Sequence, residues 1–504
     1  MREPVPPTPS HRRKGAGRTA VASALAVLLA GCGSTVQVRS TSQGADGLDP
    51  LGSSAGTRGS GASSTAALGQ DQQQPGGSST LPLGTPVTHD DQGLSPVPTG
   101  TAAGVTTGPQ RGRLAPVKIG VIIQPGLDKA AQSMGLQGVS TGDTQAQVKA
   151  VVAWILANGG LGGHPITVYT TTFDMAASSG AAAQNEACTA MADDYKVRYV
   201  VTILGNIQPL MDCLSKHNIG LLADNTSFGD KTTLKYARLL GHPSELAPGR
   251  KMTLLIDDLW RRGWLTATSK VGVLADDGTD GHDTVNGPVI SALRRHGLSA
   301  TRTVYVNPNE GDGGSGQSGS AVLTFRSAGV DRILPVLYSP LYFMSAAESQ
   351  GYRPGYALDS SQGPTLLETT VSPNQLANAA GIGWQPILDI DKGTLPPPVS
   401  ARQTLCFRLM RQAGQESTSA LVRGFQAEVC DVLFYLYDLA RLEPAMPADL
   451  LTSARIKLGA SYMSPATFRV DVSKRTDGVA SYRDFAYQMS CKCFQYVSPI
   501  ISAS

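Results

Sequence analysis

The feature that most constrains this chain is a rhythm. Across residues 116–245, short β-branched runs alternate with stretches of helical spacing. "PVKIGVII" (116–123) reads as a buried parallel strand. "TQAQVKAVVAWILANGG" follows, with Val148, Val151, Val152, Ile155 and Leu156 on one helical face. Asp143 or Thr144 is placed to cap its start, and Gly159 to close it in the left-handed conformation. Strand "PITVYTTTF", helix "AAAQNEACTAMADDY", strand "VRYVVTIL", helix "QPLMDCLSKHN" and strand "IGLLAD" complete the series. Such alternation predicts right-handed βαβ units around a parallel sheet.

A second series begins near residue 248. Helix "GRKMTLLIDDLWRRG", strand "KVGVLAD", helix "GPVISALRRHG", strand "ATRTVYV", helix "SAVLTFRSAG", strand "RILPVL", helix "FMSAAESQG" and strand "GYALD" repeat the rhythm. The fold class expected is therefore α/β, with two Rossmann-like lobes, each with a parallel sheet, joined by a hinge. Open sheets of this kind bind ligands outside the carboxyl ends of their strands, so two facing sheets would form a cleft.

The N-terminal region is of another kind. "VASALAVLLAGCG" is an apolar run that ends at Cys32, preceded by His11, Arg12, Arg13, Lys14 and Arg18. It is short for a membrane span, which needs ~20 apolar residues. A basic start, a short apolar core and small residues at the end describe an export signal. Leu29-Ala30-Gly31-Cys32 resembles the lipobox of bacterial lipoproteins, which implies cleavage before Cys32 and lipidation of that cysteine. Residues 1–31 are thus expected to be a lipoprotein signal peptide. Residues 32–115 lack aromatic side chains and apolar periodicity, and cannot bury enough surface to offset ordering entropy. They read as a tether whose ends would lie about 50 Å apart on average.

Composition removes some classes of function. The chain has 504 residues, is 16% charged and carries a net charge of only +3, with no basic cluster and no interleaved aromatics, so nucleic acid is not an expected partner. The seven histidines are scattered and no H-E-x-x-H motif occurs, which gives catalysis and a metal centre little support. "NGGLGG" (158–163) follows a helix and precedes a strand, the reverse of a phosphate cradle, and reads as a turn. "DDGTDGHD" (276–283) has Gly287 where a calcium loop would need its closing carboxylate, and reads as a solvated or cleft-facing loop. "GDGGSGQSGS" (311–320) reads as a flexible loop.

Seven cysteines leave six if Cys32 is acylated, enough for three disulfides outside the cytoplasm. Cys188 and Cys213 lie on successive helices expected on one face of the first sheet, and Cys406 and Cys430 on two helices close in sequence. Cys491 and Cys493 remain as the third pair. A bridge across one residue departs from ordinary disulfide geometry; a redox or metal role is the alternative reading of that C-x-C, and the lack of further ligands at zinc spacing makes it the minor one.

In order and spacing, "KIGVIIQPG", "WILANGGLGGHPITVY", "VRYVVTILG", "HNIGLL", "KVGVLADDGTDG" and "LVRGFQAEVCDVLFYLYDLARLEPAMPADLLTSARI" resemble type I periplasmic-binding proteins. The group is that of the branched-chain amino acid and amide importers, leucine-binding proteins among them. The resemblance covers about residues 117–496. It implies that lobe 1 comprises 116–245 plus 380–460, and lobe 2 comprises 246–379 plus 461–504. It also implies a pocket in which Gly205, Asn206, Asn225, Thr226 and Ser227 hold a carboxylate, while Tyr338 and Asp359 supply the aromatic and acidic positions and Asp277 lies in a cleft loop. "LADNTS" departs from the group's Ser-Pro-Ala-x-Thr pattern and puts Asp224 beside the presumed carboxylate site.

The function implied is capture of a small polar ligand, amino-acid or amide-like, by a lipid-anchored extracytoplasmic protein. An ABC permease would be its partner, with no enzyme activity and no cofactor. A ligand-sensing receptor without a transport role, or an interaction lipoprotein binding no solute, are the alternatives.

Overall fold

The computed structural model describes residues 114–124, 140–173, 180–203, 208–224, 228–307, 315–337, 339–390 and 398–503. The leader, Cys32 and the tether lie outside them. The first sheet is formed by β1 (Val117–Ile123), β2 (Ile166–Thr172), β3 (Tyr199–Thr202), β4 (Gly220–Ala223) and β5 (Leu240–Gly241), all parallel in the order β2-β1-β3-β4-β5. Helix Thr144–Ala157 begins where the Asp143 carboxylate accepts the Ala146 N–H at 2.9 Å. It lays Val148, Val151, Val152 and Ile155 on one face of this sheet. The other face is covered by helices Gly180–Thr189 and Gln208–Lys216, which contribute Cys188, Leu210, Met211 and Leu214 to a second core.

The glycine turn lies where the sequence places it. Gly160 has φ of +74°, and a Cβ there would come within 2.1 Å of the His164 carbonyl oxygen, so no other residue fits.

The second sheet has the order β12-β11-β10-β9-β8-β6-β7, with β13 pairing to β11. Its strands are β6 (Val271–Asp276), β7 (Ala300–Val306), β8 (Arg332–Val336), β9 (Gly355–Asp359), β10 (Ala380–Gly383), β11 (Ser481–Gln488), β12 (Cys493–Tyr496) and β13 (Ile501–Ser502). β6 to β10 are parallel, and β11 runs antiparallel to β10 and β12.

The chain passes between the lobes three times: after β5, after β10 and before β11. The middle passage corrects the expected lobe boundary. Residues 380–383 do not belong to the first lobe, because β10 pairs with β9 through Ala380 and Ala357 and extends the second sheet. The first-lobe return comes with helices Ala401–Gln412, Ala420–Leu442 and Leu450–Leu458, whose Met410, Leu433 and Leu451 pack into the core beneath β1. Val470 and Val472 also enter that core before the chain leaves for β11.

Two helices differ from the sequence reading. Helix Ser315–Ser327 takes up the end of the glycine–serine loop expected at 311–320. Pro288 falls inside a continuous helical stretch that starts at Thr279; a wide π turn at Val285–Val289 absorbs the N–H that proline lacks.

The structure joins three cysteine pairs. Cys188–Cys213 ties two helices of the first lobe, and Cys406–Cys430 ties helix Ala401–Gln412 to helix Ala420–Leu442. Cys491–Cys493 closes across one residue, between β11 and β12.

Candidate functional site

The carboxyl ends of both sheets turn toward the junction between the lobes. Of the pocket residues implied by the sequence, Gly205, Asn206, Asn225, Thr226, Ser227 and Tyr338 lie outside the described residues. Asp277 and Asp359 lie within them.

Asp277 is exposed, and its carboxylate is 2.8 Å from His282 Nε2, one turn on in the same loop. The His282 ring in turn stacks on Tyr305, with centroids 3.7 Å apart. This arrangement fixes the loop after β6.

Asp359 ends β9 and is 0% exposed. Its Oδ1 accepts the Ser361 N–H at 2.9 Å and the Ser361 hydroxyl. Lys251, on the first turn of helix Pro248–Arg261, places Nζ 3.6 Å from the same oxygen and donates to Ser361 Oγ at 2.6 Å. Asp359 Oδ2 is buried with no hydrogen-bond partner among the described residues. The carboxylate expected from the resemblance at the acidic position is thus already paired with an ammonium from its own chain. Lys251 was not singled out in the sequence, where it reads as one more polar residue on an amphipathic helix.

Other carboxyl groups converge on the same junction. Asp224 ends β4, Glu245 lies on the passage from β5 to the second lobe, and Glu428 is on helix Ala420–Leu442; all three are buried. Burial raises Glu245 to about 8, with Lys251 opposing and Asp359 and Asp224 adding to the shift. Glu428 is held well above the usual carboxylate range by burial and then by Asp224, to which it hydrogen-bonds. Asp276, at the end of β6, is pushed to about 7 by burial, with Lys251 pulling it down. The sequence held one signal of this. Glu428 and Asp431 lie three apart within "GFQAEVCDVLFYLYDLA", where the rest of the helix face is apolar.

Around these groups the passages are pinned. Trp384, fully buried just after β10, donates its indole N–H to the Ser244 carbonyl at 3.0 Å, linking two passages. Gln385 donates its backbone N–H to Asp389 Oδ2 at 3.0 Å, and Tyr496 donates its hydroxyl to the same oxygen at 2.6 Å. Arg250 is 2.9 Å from Asp477 Oδ2, on the third passage.

The lobes also meet along a seam. Helix Asp230–Tyr236 of the first lobe faces helix Thr279–Thr284 of the second. Lys231 Nζ is 2.9 Å from Asp283, Thr232 Oγ1 donates to Asp280 at 2.7 Å, and the Gly249 N–H donates to Asp230 at 3.2 Å. A cavity of about 350 Å³ lies there, lined by Asp230, Lys231, Asp283, Thr284, Asn286, Gly287 and Pro288. These polar contacts join elements of opposite lobes.

Two lobes, one with a parallel sheet and the other with a largely parallel one, joined by three passages, are the fold of the type I periplasmic-binding proteins. An extracellular ligand-binding receptor from Verminephrobacter eiseniae matches with a TM-score of 0.53 at 14% identity, over 75% of this chain and 100% of its own. An ABC-transporter substrate-binding protein from Desulfitobacterium hafniense, in complex with Leu, matches with a TM-score of 0.51 at 14% identity, over 76% and 99%. A solute-binding protein from R. palustris, in complex with 4-hydroxybenzoate, matches with a TM-score of 0.55 at 14% identity, over 76% and 96%. No protein-family model matches the sequence, and no curated protein does. Among the described residues, no helix is long and apolar enough to cross a membrane.

Proposed function

We propose that this protein is an extracytoplasmic solute-binding protein that captures a small polar molecule between its lobes and delivers it to an ABC permease. The observation that supports the reading is the seam: in a two-lobed fold of this type, contacts at Thr232, Asp280, Asp230 and Gly249 join one lobe to the other. Closure can be driven by a solute only if the solute touches both lobes in the closed state alone, which gives it differential affinity for that state. The lipobox-like Leu29–Cys32 supports anchoring by lipid at Cys32, with residues 32–115 as the tether. Gly205, Asn206, Asn225, Thr226 and Ser227 are proposed as the first-lobe wall of the pocket, and Tyr338 as part of the second.

The ligand classes to compare come from the structural neighbours, one of them in complex with Leu and another with 4-hydroxybenzoate. In an amino-acid site the Asp359 carboxylate would hold the ammonium; here both its oxygens are buried and Lys251 Nζ lies 3.6 Å from Oδ1, so an ammonium would reach it only if the packing around Asp359 opened. Amino acids and hydroxylated aromatic acids are accordingly the two classes to compare. Titration calorimetry with both, on wild type and Asp359→Asn, tests the reading. An amino acid that binds wild type should lose about tenfold or more in the variant, the worth of one charge-assisted bond. An aromatic acid should bind the two alike. No heat from either class would remove the solute-capture reading for these ligands.

A further inference from the structure

The tip of the hairpin between β11 and β12 stands apart from the cleft. β11 pairs Arg483 with Gly383 and Ala486 with Ala380, so its last residue, Gln488, lies beyond the amino-terminal end of β10. Ligands of such sheets bind at the opposite ends. The tip reads Met489-Ser490-Cys491-Lys492-Cys493, and the two cysteines are joined across Lys492 with Cα atoms 5.3 Å apart. Cys491 and Lys492 are exposed, whereas Cys493, the first residue of β12, is 3% exposed. Lys492 has φ of +52°, a left-handed conformation that costs a non-glycine residue energy and is held here by the ring around it.

The other two disulfides differ on each count. They span 25 and 24 residues; Cys188, Cys406 and Cys430 are fully buried and Cys213 is half-buried, so neither pair presents a fully exposed sulfur. A bridge that closes a long loop is stabilised by the fold far more than one that closes a single residue. An exposed sulfur also admits the in-line approach that exchange requires, and a buried one does not.

We propose that Cys491–Cys493 is a thiol–disulfide exchange site whose substrate is an exposed dithiol on a partner protein. A partner thiolate attacks Cys491 Sγ; the new S–S bond forms as the Cys491–Cys493 bond breaks, and the electron pair leaves on Cys493 Sγ, which takes a proton from solvent. The partner's second thiolate then attacks its own sulfur in the mixed disulfide and releases Cys491 as a thiolate. The partner dithiol is oxidised by two electrons and the Cys491/Cys493 pair is reduced by two. The reverse exchange with a low-molecular-weight disulfide restores the ring. The arrangement suits the steps. The exposed first cysteine takes the attack, and the shielded second one cannot be attacked in its place.

The test uses the full-length secreted, oxidised protein, titrated with dithiothreitol under native conditions. Free thiols are alkylated and located by peptide mass spectrometry. Two thiols, at Cys491 and Cys493, should appear at a concentration on the order of tenfold or more below that which opens the other pairs. The oxidised protein should also convert a reduced dithiol peptide to its disulfide, one equivalent per chain. The Cys491→Ser, Cys493→Ser double variant should leave the peptide reduced. Three pairs opening together, or a peptide left reduced by wild type, would overturn the proposal. Should the double variant fail to fold, the wild-type titration decides alone.

Discussion

Lys251 is the residue on which the junction turns. Among the described residues its ammonium faces Asp359, Asp276 and Glu245 together. Replacing it with methionine keeps the stem and removes the charge, which leaves Asp359 buried beside other carboxyls with no cation. A loss of about 3 kcal/mol is expected on urea unfolding, the cost of breaking a buried pair from one side. An unchanged midpoint would mean that the Lys251–Asp359 pair contributes nothing to stability. The buried carboxyls also set a pH dependence. Glu245 at about 8, Asp389 and Asp276 at about 7 and Asp431 at about 6 all lie above their unfolded values near 4, so between those limits the folded state binds more protons than the unfolded one. Stability is then fully present below about pH 4 for these groups and falls as pH rises toward 8. His242, lowered from 6.5 to about 4 by burial, acts in the opposite sense below pH 6.5, but it is one group against four. Thermal unfolding should therefore show a lower midpoint at pH 8 than at pH 6, and Glu245→Gln should flatten the slope. A midpoint that rises over that interval would contradict the assignment.

Among the elements, legibility followed chemistry. β1, β6 and β7 were readable because they are continuous β-branched runs, and helix Thr144–Ala157 because its cap and its periodicity agree. β10 was not readable as a strand of the second sheet. "AGIG" has two glycines in four residues, and nothing local says which sheet it joins. Its glycines have a packing reason visible only in three dimensions. A Cβ on Gly381 would stand 1.8 Å from the Leu358 carbonyl oxygen in the neighbouring strand. Gly381→Ala should thus cost roughly 1–3 kcal/mol, the range for overpacking a core, measured by urea unfolding. A neutral effect would mean that β9 and β10 are spaced more widely. The pocket was less legible than the fold for a related reason. Helical and strand periods report burial, while the partners of Asp359, Glu245 and Glu428 come from segments more than one hundred residues apart in part, and no spacing rule joins them.

For the whole molecule, closure is the property that matters. The seam is built from contacts of unequal worth. Lys231–Asp283 is mostly exposed and should contribute little, whereas the Thr232–Asp280 hydrogen bond is partly buried. Asp280→Ala should therefore weaken solute binding several-fold by favouring the open state, and Lys231→Ala should change it by less than about twofold. Equal effects would show that the seam does not report closure. The most direct test of solute capture is thermal unfolding of the full secreted chain against amino acids, amides and hydroxylated aromatic acids. A captured solute at ~100 times its dissociation constant adds ~2.7 kcal/mol to the folded state. For a two-lobed chain of this size the midpoint should rise by a few degrees with one chemical class and stay fixed with the rest. A folded protein whose midpoint moves with none of them would contradict capture and favour a lipoprotein that binds other macromolecules.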